Sequence, residues 1–494
     1  MRLNSKASKI ASLSIVVIIA GALLYFGFRG TSLHPVIAAP QQIQPESRTI
    51  SASLRDSYAD IVDRVAPAVV TIRSARRVRA PQQFPFSDDP FFRQFFGSPN
   101  RNRSREDRSL VERALGSGVI VSADGHILTN HHVVDGADQI SVELNDRRSL
   151  RAKVIGSDAP SDLALLKVEA SNLRVLPLGD SDKVRVGDLC LAVGNPLGIG
   201  ETVTAGIISA RGRATGLSDG SFEDFLQTDA AINQGNSGGA LTNTHGELIG
   251  INSQIISPSG GNIGIGFAIP SNMARNVMEQ LKNGGKVRRG KLGVGIQEIT
   301  SDLAKGLALR DMRGVLVNSV GAGGPAERAG IRTGDIITAV NGTRVGDANA
   351  LRNHIAGTAP GSDVTLTIVR DGREQQVHAR LTELPAGKDS TASSSGPEGR
   401  GGQLGITVEP LTPELASQLG LRRGATGVVV TDVDPGGPAA EAGIQTDDVI
   451  LEVNRQPVKT AGELQAAVRN SGSRPALLLV NRDGRSLFVA LQPR

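Results

Sequence analysis

The chain has no tryptophan, two tyrosines and one cysteine among its 494 residues. With aromatics at 3%, the stacking platforms on which single-stranded nucleic acids lie are not available in quantity. The lone Cys190 excludes an intramolecular disulfide and any multi-cysteine metal site, and its setting in the run LCLAV reads as a buried strand thiol. Neither sign of charge is in excess: 54 Lys and Arg against 49 Asp and Glu leave +5. Over this length that does not argue for nucleic acid as a partner. The seven histidines do not fall at metal-ligand spacing, and H-E-x-x-H, P-loop and EF-hand patterns are missing, so no cofactor is expected. Two glycine-rich runs, 194–200 and 261–266, lead into strand-like sequence rather than a helix and are rejected as nucleotide sites.

Length and glycine are what the chain does have. At 494 residues it calls for two or three domains. Its 59 glycines, about 12% against a norm of about 7%, make it turn often. Near the start, Arg2, Lys6 and Lys9 precede an apolar run from Ile10 to Phe28, long enough to enter a membrane. The flanking positive charges hold the start in the cytoplasm, which places everything after Arg29 outside it. An uncleaved anchor and an export signal cut near Ala38 and Ala39 both stay open. Residues 1–50 comprise this segment and a tether.

Toward the other end the sequence repeats. GVLVNSVGAGGPAERAGIRTGDIITAVNG from Gly314 matches GVVVTDVDPGGPAAEAGIQTDDVILEVNR from Gly427, so that Pro325, Gly330, Asp335 and Asn341 fall on Pro438, Gly443, Asp448 and Asn454. Each copy reads as short strands with a helix at Pro325–Ala329 and another near Ala348–Ile355, and Asp371-Gly372 and Asp483-Gly484 read as hairpin turns. Duplication of one domain, 290–384 and 402–494, explains this, with the polar stretch 385–401 as a flexible linker. The repeated turn and helix resemble PDZ domains of the bacterial protease-associated type. That resemblance implies a peptide adding as an extra strand, its C-terminal carboxylate held by a loop made of Gly290, Lys291, Leu292 and Gly293 in the first copy and Gln403, Leu404 and Gly405 in the second. Arg288 and Arg289 read either as a solvated basic linker or as groups that steer carboxylates.

Residues 51–285 are punctuated by glycine and carry short apolar runs from AVVTI to IGFAI, a pattern of ten or more strands in a sandwich or barrel. Two helices stand out, Ser57–Val65 and Ser271–Leu281. Within this region Gly235-Asn236-Ser237-Gly238-Gly239 offers a serine nucleophile in a turn whose glycines let N–H groups converge on an oxyanion. Alone it also fits the G-x-S-x-G elbow of α/β-hydrolases, in which His245, His354 or His378 would be the essential base. Upstream, Thr129-Asn130-His131-His132-Val133-Val134 and Ser161-Asp162-Leu163 supply a base and a carboxylate, giving the order His, Asp, Ser of chymotrypsin-like double barrels.

TNHHVV, SDLALLKV, GNPLG, QTDAAINQGNSGGAL and GIGFAIP, with two PDZ copies behind them, resemble the HtrA (Do-like) periplasmic serine proteases. The resemblance implies a mainly β chain, a chymotrypsin-like double β-barrel protease domain followed by two PDZ domains. It assigns His132 as general base, Asp162 as its orienting carboxylate, Ser237 as nucleophile and the N–H groups of Gly235 and Ser237 as oxyanion hole, and leaves His131 at the surface. Ala231 and Ile232 would shape an S1 pocket for small aliphatic residues, with no role there for Asp229. It further implies ATP-independent cleavage of unfolded or misfolded polypeptides in the periplasm, capture of exposed C-termini, and homo-oligomers, trimers or their multiples. Six Phe within Phe84–Phe96 either pack against their own barrel or, as the resemblance implies, contact another subunit or a neighbouring active site. The membrane would be a partner through residues 10–28 if these are retained. A holding chaperone or adaptor, with proteolysis secondary or lost, is the alternative.

Overall fold

The structure, a computed structural model, describes residues 57–78, 110–195, 201–215, 222–233, 235–255, 262–309, 312–385, 404–419, 421, 425–472 and 474–492. The apolar run 10–28, the six phenylalanines, the linker and Gln403 lie outside the described residues. Among the described residues no helix is long and apolar enough to cross a membrane.

Helix α1 (Ala59–Val65) buries Ile61 and Val65 and gives way at Pro67 to a short 3-10 turn. Twelve strands then close two six-stranded antiparallel barrels. The first runs β1 (Val69–Val78), β2 (Leu110–Ile120), β3 (His126–Thr129), helix α2 (His131–Val134), β4 (Gln139–Glu143), β5 (Ser149–Asp158) and β6 (Leu163–Val168), with order β1-β2-β3-β6-β5-β4. The second comprises β7 (Leu189–Gly194), β8 (Thr202–Arg213), β9 (Phe225–Thr228), β10 (Ala240–Asn243), β11 (Leu248–Ile255) and β12 (Gly266–Pro270), with order β10-β11-β12-β9-β8-β7. Each closes around its own apolar core, Val70, Ile72, Ile127 and Leu166 in one, Ala192, Ile208, Leu241 and Ala268 in the other. Closure leaves no sheet edge and binds every strand on both sides. Ten of the twelve strands coincide with apolar runs legible in the sequence. The other two are β5, which mixes polar, charged and apolar residues with only Ala152 and Asp158 buried, and β9, which is four residues long.

Helix α3 (Ser271–Gly284) packs against β5 and β6 of one barrel and β11 and β12 of the other, which ties the two together. It buries Ser271, Ala274, Val277 and Leu281 along one face and stops at Gly285, whose left-handed backbone lets its N–H reach the Leu281 carbonyl.

The repeated segments fold alike. In the first, β13 (Gly290–Lys291), β14 (Val294–Glu298), α4 (Ser301–Gly306), β15 (Val315–Val320), α5 (Pro325–Arg328), β16 (Ile336–Val340), β17 (Thr343–Arg344), α6 (Ala348–Gly357), β18 (Asp363–Arg370), β19 (Arg373–Arg380) and β20 (Thr382–Glu383) give the sheet order β14-β15-β16-β18-β19. In the second, β21 (Ile406–Pro410), α7 (Pro413–Gln418), β22 (Val428–Val433), α8 (Pro438–Glu441), β23 (Val449–Val453), β24 (Gln456–Pro457), α9 (Ala461–Arg469), β25 (Ala476–Arg482) and β26 (Arg485–Leu491) give β21-β22-β23-β25-β26. Asp371-Gly372 and Asp483-Gly484 close the last hairpin of each, all four residues at positive φ as a type I′ turn requires. The two domains share an apolar cluster in which Leu303, Leu316 and Ile336 of the first meet Leu477, Leu479 and Phe488 of the second. Across it the Gln297 side chain donates to the Phe488 carbonyl and accepts from its N–H, both at 2.8 Å.

Candidate active site

The HHVV segment forms one helical turn, with Asn130 in the N-cap position, that directs its two histidines differently. His131 Nε2 lies 3.6 Å from the exposed Asp135 one turn on, and the ring is half-buried rather than at the surface. His132 Nδ1 lies 2.9 Å from both carboxylate oxygens of Asp162, and the His132 N–H donates to the same carboxylate at 3.1 Å.

Asp162 sits at the end of a 3-10 turn made by Ala159, Pro160 and Ser161, with a left-handed backbone, φ +52, that a residue other than glycine adopts at a cost. Its neighbours offset that cost. Its carbonyl accepts from the His131 N–H at 3.1 Å and from the Asn130 amide at 3.0 Å, and its own N–H donates to the Ala159 carbonyl. Loss of water around the carboxyl pushes its pKa up, but the charge of His132 and the hydrogen bonds from His132 and Ser253 outweigh this and hold it below the ordinary carboxylate range.

Ser237 is buried in the tight turn between β9 and β10. Its Oγ donates to the Ser253 carbonyl at 3.0 Å, while the Ser253 hydroxyl donates to Asp162 Oδ2 at 2.9 Å. Ser253 therefore joins the serine to the carboxylate, a link the sequence reading missed; the buried polar pair Asn252-Ser253 within the apolar-rich β11 was its one signal. Gly235 has φ +99 and Gly238 φ +81. A Cβ on Gly238 would stand 2.2 Å from the Ser117 carbonyl oxygen, so this turn closes only with glycine there.

Ile232 is buried in the second-barrel core beside Ala230, and Ala231 is half-buried with its carbonyl accepting from Thr204. The Asp229 carboxylate accepts the Ile207 N–H at 2.7 Å. In the first PDZ copy, Gly290 and Lys291 pair with β20, Leu292 packs in the core with Leu351 and Ile355 of α6, and Gly293 turns at φ +80. In the second, Leu404 packs on the core and Gly405 turns at φ +72. His354 and His378 belong to α6 and β19 of the first PDZ domain, outside the two barrels, and the His245 N–H donates to Asn243 in the β10–β11 turn.

Both Arg288 and Arg289 are engaged in ion pairs; Arg288 is solvated, as a basic linker would be, and Arg289 is largely covered. Arg288 forms a forked pair with Glu383. Arg289 is largely but not fully covered, forks onto the buried Asp158 at 2.5 and 2.8 Å, and lies over the Phe222 ring, 4.5 Å from its centroid.

Two barrels with His132, Asp162, Ser253 and Ser237 converging between them have the architecture of a trypsin-like peptidase. Residues 116–251 match the trypsin-like peptidase domain, and 290–381 and 429–482 match PDZ domains. A Brucella melitensis protein named as a probable periplasmic serine endoprotease, DegP-like, is 40% identical over 525 aligned residues, covering 99% of this chain and 98% of its own. A Haemophilus influenzae protein named as a probable periplasmic serine protease, do/HhoA-like, is 42% identical over 437, covering 87% and 91%. Among solved structures, the HtrA-type protease AlgW with a decapeptide is 45% identical, with a TM-score of 0.53, covering 67% of this chain and 100% of that one. The molecule is a serine endopeptidase with two PDZ domains. It belongs to the DegP-like, HtrA-type family of periplasmic serine endoproteases.

Proposed function

We propose that this chain degrades unfolded or misfolded proteins of the bacterial envelope without ATP, cutting after small aliphatic residues by acyl transfer through Ser237. The observation that carries the reading is the convergence of His132, Asp162 and Ser237 through Ser253. In this mechanism the Ser237 hydroxyl turns from the Ser253 carbonyl to His132 Nε2 as a peptide enters. His132 takes the proton as Oγ attacks the peptide carbonyl, and the N–H groups of Gly235 and Ser237 receive the oxyanion. His132 then protonates the leaving amine, and water repeats the sequence on the acyl-enzyme. Asp162 keeps the imidazole in the tautomer with Nε2 as base and stabilises the imidazolium. Ala231 and Ile232 line the approach to the pocket for the residue before the cut.

Regulation by peptides in the PDZ domains is part of the same reading, and two connected paths support it. Arg289, next to the Gly290–Gly293 loop, grips Asp158, whose carboxylate also accepts the Ser161 N–H at 3.1 Å in the turn that carries Asp162. Asn349 and Asn353 of α6 both donate to the Glu223 carbonyl, at 2.7 and 2.6 Å, the Glu223 carboxylate holds Thr215, and Thr215 accepts from Gln254 beside Ser253. A peptide that moves the loop or α6 would be felt at both ends of the Asp162–Ser253 bond. Assembly into trimers, and anchoring by residues 10–28 at the inner membrane, complete the reading on sequence grounds.

Cleavage of unfolded casein by the wild-type chain, beside Ser237→Ala and His132→Ala, tests it, with fragments mapped by mass spectrometry. Cuts after Val, Ala or Ile that vanish in both variants are the expected result. Intact casein whose aggregation is nonetheless suppressed would move the assignment to a holding chaperone.

A further inference from the structure

Between the two glycines of the β2 run LGSGVI stands Ser117, a residue the mechanism above does not use. Gly116 and Gly118 face the interior of the first barrel, where a Cβ on either would stand 2.7 Å from Val133 or Ile72. Ser117 points the other way, toward the nucleophile turn, and is fully buried. Its backbone N–H donates to the Ser237 carbonyl at 2.8 Å and its carbonyl accepts from the Thr129 hydroxyl at 2.7 Å. Its hydroxyl donates to the Gly235 carbonyl at 2.6 Å and accepts the Asn195 N–H at 2.9 Å. All of its polar groups are thus committed to the nucleophile turn, to the strand that leads into Asn130 and His132, or to the end of β7.

We propose that Ser117 is a positioning residue for the oxyanion hole, its side-chain oxygen fixing the peptide plane that lies between the two oxyanion donors. The inference rests on the reading of Ser237 as nucleophile. The two donors, the N–H groups of Gly235 and Ser237, belong to separate peptide units with the Gly235–Asn236 unit between them. That middle unit is pinned at both ends: its carbonyl by the Ser117 hydroxyl, and its N–H by the Asn233 carbonyl at 3.0 Å. A plane held at both ends sets the relative orientation of its neighbours. Gly235, at φ +99, has no Cβ to resist rotation, so the hydrogen bond supplies the restraint that sterics cannot. Alanine at 117 would leave a buried carbonyl and a buried N–H without their partner, and rotation of the middle plane is the cheapest way to relieve them. That rotation takes a donor off the point where the oxyanion forms, which weakens binding of the transition state more than binding of the substrate.

The test is steady-state cleavage of a short peptide by the full chain carrying Ser117→Ala or Ser117→Thr, together with labelling of Ser237 by a fluorophosphonate and inhibition by a peptide boronate. Removing one donor outright costs roughly 100- to 1000-fold in kcat, so displacing one should cost about 10- to 100-fold, with KM within twofold. Boronate affinity and labelling rate should fall with kcat, Tm should stay near the wild-type value, and Ser117→Thr, which keeps the hydroxyl, should recover most of the loss. An alanine variant with unchanged kcat and boronate affinity overturns the inference. So does one whose KM, Tm and kcat fall together, which marks a merely structural serine. If the phosphonate labels wild-type and Ser117→Ala protein equally fast, only the role of Ser117 fails; if it labels neither, the assignment of Ser237 fails as well.

Discussion

Arg289 closes a forked ion pair on the buried Asp158, 131 residues earlier in the chain, and so fastens the start of the first PDZ domain to the turn that presents Asp162. Removing one partner of such a pair leaves the other charge buried and uncompensated. Arg289→Ala is expected to cost about 3 kcal/mol of stability, read as a drop in the urea midpoint. It should also reduce the stimulation of casein cleavage by a peptide that binds the first PDZ domain. A variant that keeps full peptide stimulation would show that Asp158 holds the domain without informing the site.

Asp162→Asn tests the carboxylate itself. The amide keeps the shape but offers His132 Nδ1 a donor in place of an acceptor, which favours the wrong tautomer, and kcat is expected to fall about 10⁴-fold with little change in KM. Ser253→Ala removes one hydrogen bond to the same carboxylate and leaves the Ser253 carbonyl in place. A hydrogen bond to a charged group contributes about 1.5–3 kcal/mol, so a loss in kcat of roughly 10- to 100-fold is the upper range expected. Equal losses in the two variants would mean that Ser253 acts by something other than orienting Asp162.

These two residues also mark where sequence stops being informative. Ser237, His132 and Asp162 each sit in a short run whose residue types betray the chemistry, and the repeat of Pro325, Gly330 and Asp335 at Pro438, Gly443 and Asp448 exposes the second PDZ copy. Ser253 carries no such label, because a serine in a strand reads as filler until the fold places it between Ser237 and Asp162. Arg289 was harder still. Its partner is remote in sequence and its neighbours Arg288 and Lys291 are exposed, so the run reads equally as a basic linker or as a group that steers carboxylates. Strand β5 escaped notice for a related reason: it is paired with β4 and β6 on either side and puts only Ala152 and Leu150 against the barrel core, so no apolar run marks it.

The repeat makes its own prediction. Arg370 forks onto the buried Asp335 at 2.6 and 2.7 Å and reaches the Gly330 carbonyl; Arg482 forks onto Asp448 at 2.7 Å and reaches the Gly443 carbonyl. Each arginine ties the last hairpin to the turn after α5 or α8. Lysine has one ammonium and no fork, so Arg370→Lys and Arg482→Lys should each destabilise their own domain by about 2–4 kcal/mol. Protection of amides by hydrogen exchange would locate the loss, and exchange that rises equally in both domains after one substitution would contradict independent roles.

Acid should relieve one strain. Asp224 lies in the segment that meets α6; burial first and then the charge of Asp182 raise its pKa from 3.8 to about 6, Arg211 opposes them, and Asp347 adds the smallest push upward. A carboxyl raised in the folded state binds more protons there than in the unfolded chain between these two values, so its contribution to stability improves as pH falls from above 6 to below 3.8. At pH 7.5 the buried charge is a penalty, and Asp224→Asn is expected to stabilise the protein by on the order of 1–2 kcal/mol. That advantage should shrink through pH 6 and disappear near pH 4, where the wild-type carboxyl is neutral too. Urea midpoints of both proteins between pH 4 and pH 8 measure it, and a gap that stays constant across the range would place the effect of the substitution elsewhere than in the charge of Asp224.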